Sequence, residues 1–244
     1  MLRGLFDVIT KPAMRHDWRW RVVCRLTKWL LPNYRLPWPN LLWWEDEEFN
    51  AFLTRFGELH GFNSDRRWML YQLALIANDV PGNTAECGAY QGAGSYLICK
   101  ATQGTPRTHF IFDSFEGISS PDKHDGSYWH KGDLSCSLEN FQRPAGNISI
   151  HKGWIPDRFE DVADRRFSFV HIDVDLHQPT ADSIEFFYPR MNPGGMIVFD
   201  DYGFSSCPGA KKAVDDFLSD KAEKITMLSC GSGLLIKPSI SQYK

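Results

Sequence analysis

From Thr84 onward, short apolar runs alternate with segments of helical pattern, and this alternation constrains the fold more than any other feature. TAEC (84–87), THFIFD (108–113), NISIHKG (147–153), FSFVHID (167–173) and GGMIVFDD (194–201) read as strands. Helical stretches at 93–101, 179–190 and 209–219 separate them, with weaker ones at 133–141 and after Pro156. Strands that alternate with helices build a parallel sheet covered on both faces. KITMLS (224–229) and GLLIKP (233–238) lie only a few residues apart around Gly231, too close for a crossover, so they pair antiparallel. The expected architecture is α/β: seven strands, mostly parallel, the last one reversed, with helices on both faces. In open sheets of this kind ligands bind beyond the C-terminal ends of the strands.

Upstream, Ser64 is placed to cap a helix through DRRWMLYQLALIAND, which Pro81 and Gly82 end. Residues 1–60 read as a helical and irregular extension, and 61–244 as the main domain. The segment 114–131, FEGISSPDKHDGSYWHKG, is long and polar for a connection, as expected of a lid that carries His124, Tyr128, Trp129 and His130.

Charge divides the chain unevenly. The net charge is -3, yet residues 1–40 hold eight Lys or Arg against two Asp, which leaves -9 for the rest. Arg15, Arg19, Arg21, Arg25 and Lys28 interleave with Trp18, Trp20, Val22, Val23, Leu26, Trp29 and Leu30, an amphipathic pattern. Such a helix covers an apolar face of its own domain or of a second subunit; peripheral contact with a membrane is the lesser alternative. No stretch is long and apolar enough to span a bilayer, and no secretory signal is evident. Six scattered cysteines without a CxxC read as free thiols in a reducing, cytoplasmic setting.

The first strand runs into AECGAYQGAGS. Glu86 heads a turn containing Gly88, Gly92 and Gly94, with Tyr90 and Ser95 between and beyond them. The spacing is neither G-x-G-x-x-G nor a phosphate loop, and an acidic head opposes a pyrophosphate. It suits a ligand that carries ammonium and sulfonium charge. Asp113 ends the second strand, where a carboxylate can accept ribose hydroxyls or cap the next turn. Asp173 and Asp175 share one face if the strand continues to residue 175. Asp200 and Asp201 end the neighbouring strand. Carboxylates crowded in this way call for a divalent cation, unless Lys211, Lys212, Arg190 or His177 pair with them.

AECGAYQGAGS, FDSFEG, GWIPDRF, HIDVDLHQPT, PGGMIVFDDYG and PGAKKAVDDF occur in the order and register of the TylF/MycF family of macrocin-type O-methyltransferases, which this chain resembles over roughly 60–240. The resemblance implies a Rossmann-like class I methyltransferase fold with extra N-terminal helices. It further implies S-adenosyl-L-methionine and Mg²⁺ as cofactors, and a small-molecule hydroxyl acceptor, typically on a sugar of a natural product. An oligomer built through the N-terminal region is also implied. Carried over by residue, Glu86, Gly88, Tyr90, Gly92, Gly94, Ser95, Asp113, Trp154 and Asp173 resemble the cofactor site. Asp173, Asp200 and Asp201 resemble the metal ligands, and Asp175 the neighbouring base. Where the family carries Tyr-Glu after the second aspartate, this chain has His177-Gln178, so His177 is a second candidate for proton transfer. The rival readings are a metal-dependent hydrolase of an ester or phosphoester, a nicotinamide oxidoreductase and a non-catalytic cofactor-binding domain. A nucleic-acid substrate is excluded by the acidic site.

Overall fold

A computed structural model describes residues 17–33, 41–61 and 63–239. Arg15, with the rest of 1–16, and residues 34–40 of the expected extension lie outside those residues. The chain forms two compact units, Met1–Ala51 and Phe52–Lys244. The first contains helix α1 (Asp17–Leu30) and a short 3-10 turn at Leu42–Glu45; helix α2 (Glu47–Arg55) runs across the boundary. The second unit carries helices α3 (Ser64–Ile76), α4 (Ala93–Ala101), α5 (His177–Phe187) and α6 (Pro208–Leu218). Its strands are β1 (Asn83–Cys87), β2 (His109–Asp113), β3 (Ile148–Lys152), β4 (Phe167–Ile172), β5 (Met191–Phe199), β6 (Thr226–Met227) and β7 (Gly233–Ile236).

The seven strands form one sheet in the order β3-β2-β1-β4-β5-β7-β6. Pairing from β3 to β5 is parallel throughout, and β7 runs antiparallel to both β5 and β6. The strand order reverses between β1 and β4, which opens the crevice where ligands bind in such sheets. Alternation along β4 distributes the core. Val170 and Ile172 pack with Ile184, Phe187 and Val214 against α5 and α6. Phe169 packs with Leu70, Leu73, Ala74 and Ile98 against α3 and α4 on the opposite face.

Three local expectations are corrected. Residues 133–141 are turns, not helix: Ile118 N–H donates to Asp133 O (2.8 Å) and Gly132 N–H to Ile118 O (2.9 Å), which ties the segment back onto 117–118, and Leu134 takes φ +57°. Ser64 is the first helical residue rather than the cap. Asn63 occupies the cap position without a side-chain capping bond, its Oδ1 accepting from Arg66 instead, while Ser64 Oγ faces Asp65. Asp175 does not continue β4. The strand ends at Ile172 and Asp175 sits at φ +59°, so it no longer shares a strand face with Asp173.

Candidate active site

Register brings the first pair together. Glu86 on β1 lies opposite His171 on β4, and Glu86 Oε1 meets His171 Nδ1 at 2.9 Å, both fully buried. The other Glu86 oxygen accepts from Ser95 Oγ, which also contacts His109 Nε2 at 3.2 Å. Burial alone would expel these charges. For His171 it is outweighed by the carboxylates of Asp200 and Glu86, which raise the imidazole pKa to about 10. For Glu86, burial is outweighed by His171, and the carboxyl stays below its ordinary value. For His109 burial outweighs the Glu86 charge and lowers it to about 4. Glu86 is thus a fixed anion under the glycine turn. Gly94 is required above it, because a Cβ there would stand 2.0 Å from Glu86 Oε1.

Gly88 takes φ +81°, and a Cβ on it would meet Asp173 O at 1.8 Å, so the turn lies flat against the end of β4. Asp113 shapes the same turn from β2. Its Oδ2 accepts from the N–H groups of Ala89 (2.7 Å) and Tyr90 (2.9 Å), and Oδ1 accepts from Phe115 N–H (2.6 Å). The capping role weighed for Asp113 is therefore present, and the carboxylate still borders the cavity beyond the sheet. Gly92 caps α4, and Tyr90 is exposed.

That cavity, about 450 Å³, opens over the strand ends. Asp113, Trp154, Gly88 and Tyr90 border it on the β1–β2 side, and Asp173, Asp175 and Asp201 on the β4–β5 side. Of the four lid residues, Tyr128 and Trp129 line it. His124 instead stacks on His177 (ring centroids 4.6 Å), and His130 points to Asp133. His177 is not on the cavity wall, whereas its neighbour Gln178 is, holding Asp182 at 2.9 Å. The lid is fastened by a residue with no sequence signal beyond its charge. Buried Asp125 accepts from His177 N–H (2.6 Å) at the start of α5 and from Asp122 N–H (2.7 Å). Substituting Asp125→Ala removes both charge-assisted bonds, each worth about 1.5–3 kcal/mol. Hydrogen exchange across 118–130 is expected to accelerate, with exchange in β1 and β4 unchanged.

The carboxylates sit among cations that the sequence reading passed over. Arg66 and Arg67 open α3. Arg66 Nη1 pairs with Asp200 and lies 3.9 Å from Asp201, and Arg67 holds Glu58 at 3.1 Å and Asp173 at 3.8 Å. Lys211 and Lys212, expected as partners, pair with Asp215 and Asp216, and Arg190 bonds backbone carbonyls. The signal for Arg66 and Arg67 was two adjacent arginines in an otherwise apolar helix. His171 likewise stood in plain view inside a buried strand.

These cations do not neutralise the cluster. Burial and the Arg66 guanidinium act in opposite directions on Asp200, and Arg66 wins, holding it well below the carboxylate range. Burial with the Asp200 charge pushes Asp173 up to about 6, and burial with the Asp173 charge pushes Asp175 up to about 7. Asp201, buried beside Asp175, is also pushed well up. Among the described residues two groups of donors each gather within 4.8 Å: His171, Asp173 and Asp200, and Asp175, Asp201 and Cys207. His171 is held as a cation by Glu86 and Asp200, which disfavours it as a ligand, and burial keeps Cys207 a thiol. The available ligands are all carboxylate oxygens, and around Asp173, Asp175 and Asp201 their mutual repulsion is not offset by the cations, which fits a hard divalent cation.

A cofactor-sized cavity at the β1/β4 reversal of a 3-2-1-4-5-7-6 sheet defines a class I, Rossmann-like methyltransferase fold. Solved structures share it: the O-methyltransferase NovP (TM-score 0.58, 24% identity, 71% of this chain and 80% of that one) and the calicheamicin methyltransferase CalS11 (0.61, 19%, 93% of each). The family described as macrocin-O-methyltransferase (TylF) matches residues 70–228, and the chain belongs to it. It is 29% identical over 160 residues to the 8-demethyl-8-(2,3-dimethoxy-alpha-L-rhamnosyl)-tetracenomycin-C 4'-O-methyltransferase of Streptomyces olivaceus, covering 59% of this chain and 60% of that one. Demethyldecarbamoylnovobiocin O-methyltransferase of Streptomyces niveus is 30% identical over 162 residues, with the same coverage. The chain thus spans about 60% of the length of these curated relatives.

Proposed function

We propose that this chain is an O-methyltransferase that uses S-adenosyl-L-methionine and Mg²⁺ to methylate a hydroxyl of a small molecule, a sugar of a natural product or glycan. The observation that carries this reading is one cavity bordered by the glycine turn and Asp113 on one side and by uncompensated carboxylates on the other. The names of the relatives, one for a rhamnosyl 4' position, support the acceptor class. On this reading residues 61–244 are the catalytic domain and 1–60 an extension.

Glu86, the glycine turn, Asp113 and Trp154 would hold the methyl donor, whose sulfonium supplies the activated methyl group. Asp173, Asp200 and Asp201 would hold the ion, which when bound acts as a Lewis acid toward an acceptor hydroxyl. Asp175 is the base. Its N–H donates to Asp201 Oδ2 at 2.9 Å, which fixes the backbone in a left-handed conformation that few residues other than glycine adopt. Cys207 donates its thiol to Asp175 Oδ1 at 3.5 Å and accepts from Trp129 Nε1 at 3.3 Å, which links the base to the lid. Burial and the neighbouring Asp173 charge raise the basicity of this carboxyl, which favours it as a proton acceptor. His177, turned toward the lid anchor, is not assigned a part in proton transfer.

The test is incubation with the methyl donor, Mg²⁺ and a panel of sugar and catechol acceptors, reading product mass and demethylated cofactor. Methylated product that disappears with Asp175→Asn supports the reading; cofactor that is never consumed against any hydroxyl acceptor counts against it. Asp113→Ala is expected to weaken donor binding about ten- to hundredfold, since the Ala89 and Tyr90 N–H groups lose their charged acceptor. Calorimetry of the variant checks this.

A further inference from the structure

Helix α1 carries chemistry that the cavity does not use. A helical repeat sets Trp18, Val22, Leu26 and Trp29 in one stripe, and they are 46%, 43%, 55% and 79% exposed. Arg21, Arg25 and Lys28, all exposed, form the row beside it. The half-buried positions, Trp20, Cys24 and Thr27, fall on the opposite side. The apolar stripe of this helix therefore faces solvent, the reverse of a helix that covers its own core.

We propose that α1 docks the chain on an anionic phospholipid surface, its tryptophans in the headgroup layer and its basic row against lipid phosphates. Exposed indole and aliphatic side chains flanked by Lys and Arg are the composition that such a layer selects. Charge favours this occupant over a second copy. The helix carries four cations and a single acid, Asp17, so pairing it with itself accumulates like charge. An anionic surface neutralises that charge. The rest of the chain, net -9 against +6 for residues 1–40, is repelled by the same surface, which orients the molecule helix-first. No helix among the described residues is long and apolar enough to cross a membrane, so the contact is peripheral.

The experiment is flotation of the full chain with vesicles of phosphatidylcholine alone and of phosphatidylcholine with phosphatidylglycerol, at low and high salt. Co-flotation is expected only with the anionic vesicles, with a blue shift of tryptophan emission, and is expected to fall as salt rises. Trp29→Glu should abolish it. Arg25→Gln, a surface change that keeps the fold, should weaken it about fivefold, the share of one basic residue at such a surface. A chain that stays folded yet never floats with anionic vesicles overturns the proposal. So does a self-associated species in sedimentation velocity that Trp29→Glu dissolves, since that assigns the stripe to a second copy.

Discussion

Glu86→Ala is expected to lower the melting temperature by about 6–20 °C, one of the largest effects of any single substitution in the chain. Its carboxylate is buried between His171 and Ser95. Removing it leaves a charged imidazole in the sheet with Asp200, at 3.5 Å, as its remaining ion-pair partner and Asp173 nearby. Breaking a buried ion pair from one side costs about 3–5 kcal/mol, because the remaining charge loses its partner while staying desolvated. Glu86→Gln keeps the volume and a hydrogen-bond acceptor, so it should melt between the two. Both variants should lose donor binding, since the anion beneath the glycine turn is gone. Differential scanning calorimetry with a donor titration separates the stability effect from the binding effect.

The second large effect is a stabilisation by Mg²⁺ that grows with pH. In the chain without metal, Asp173 and Asp175 titrate at about 6 and 7, while in the unfolded chain they titrate at about 4. The folded state therefore holds more protons over that window. Stability from these two groups is full below about pH 4 and is lost as pH rises through 7. A cation competes with those protons, so its binding releases them and tightens as pH rises. At saturation, about a hundredfold above Kd, the ion should add about 2.7 kcal/mol. The rise in melting temperature should be clear at pH 8, much smaller at pH 6, and absent in Asp173→Asn. An equal shift at both pH values would mean that the ion binds elsewhere.

Much of this site was legible because sheet topology places strand ends together whatever the side chains do. Glu86, Asp113, Asp173, Asp200 and Asp201 all terminate strands or adjoin strand ends, so the alternation of strands and helices was enough to bring them into one region. What the sequence hid was partnership. Arg66 and Arg67 come from a helix that precedes the whole sheet in the chain, and only the packing of α3 brings them onto Asp200 and Asp173. The condition for Asp173 and Asp175 to share a face is not met, because the strand stops at Ile172 and the chain turns into a left-handed conformation at Asp175 before α5. His177 stands out as an imidazole beside two acids, yet the helix start turns its ring toward Asp122 and His124. The helix expected at 133–141 failed for a related reason: backbone bonds to Ile118 outweighed a weak local propensity.

Calorimetric titration of S-adenosyl-L-methionine into the full chain, with and without Mg²⁺ and a sugar acceptor, tests the central claim most directly. Saturable donor binding without metal is predicted, abolished by Glu86→Gln and weakened by Asp113→Ala, with acceptor binding that requires Mg²⁺ and disappears in Asp201→Asn. A folded chain that takes up no donor, or that binds donor unchanged when Glu86 and Asp113 are replaced, would contradict it.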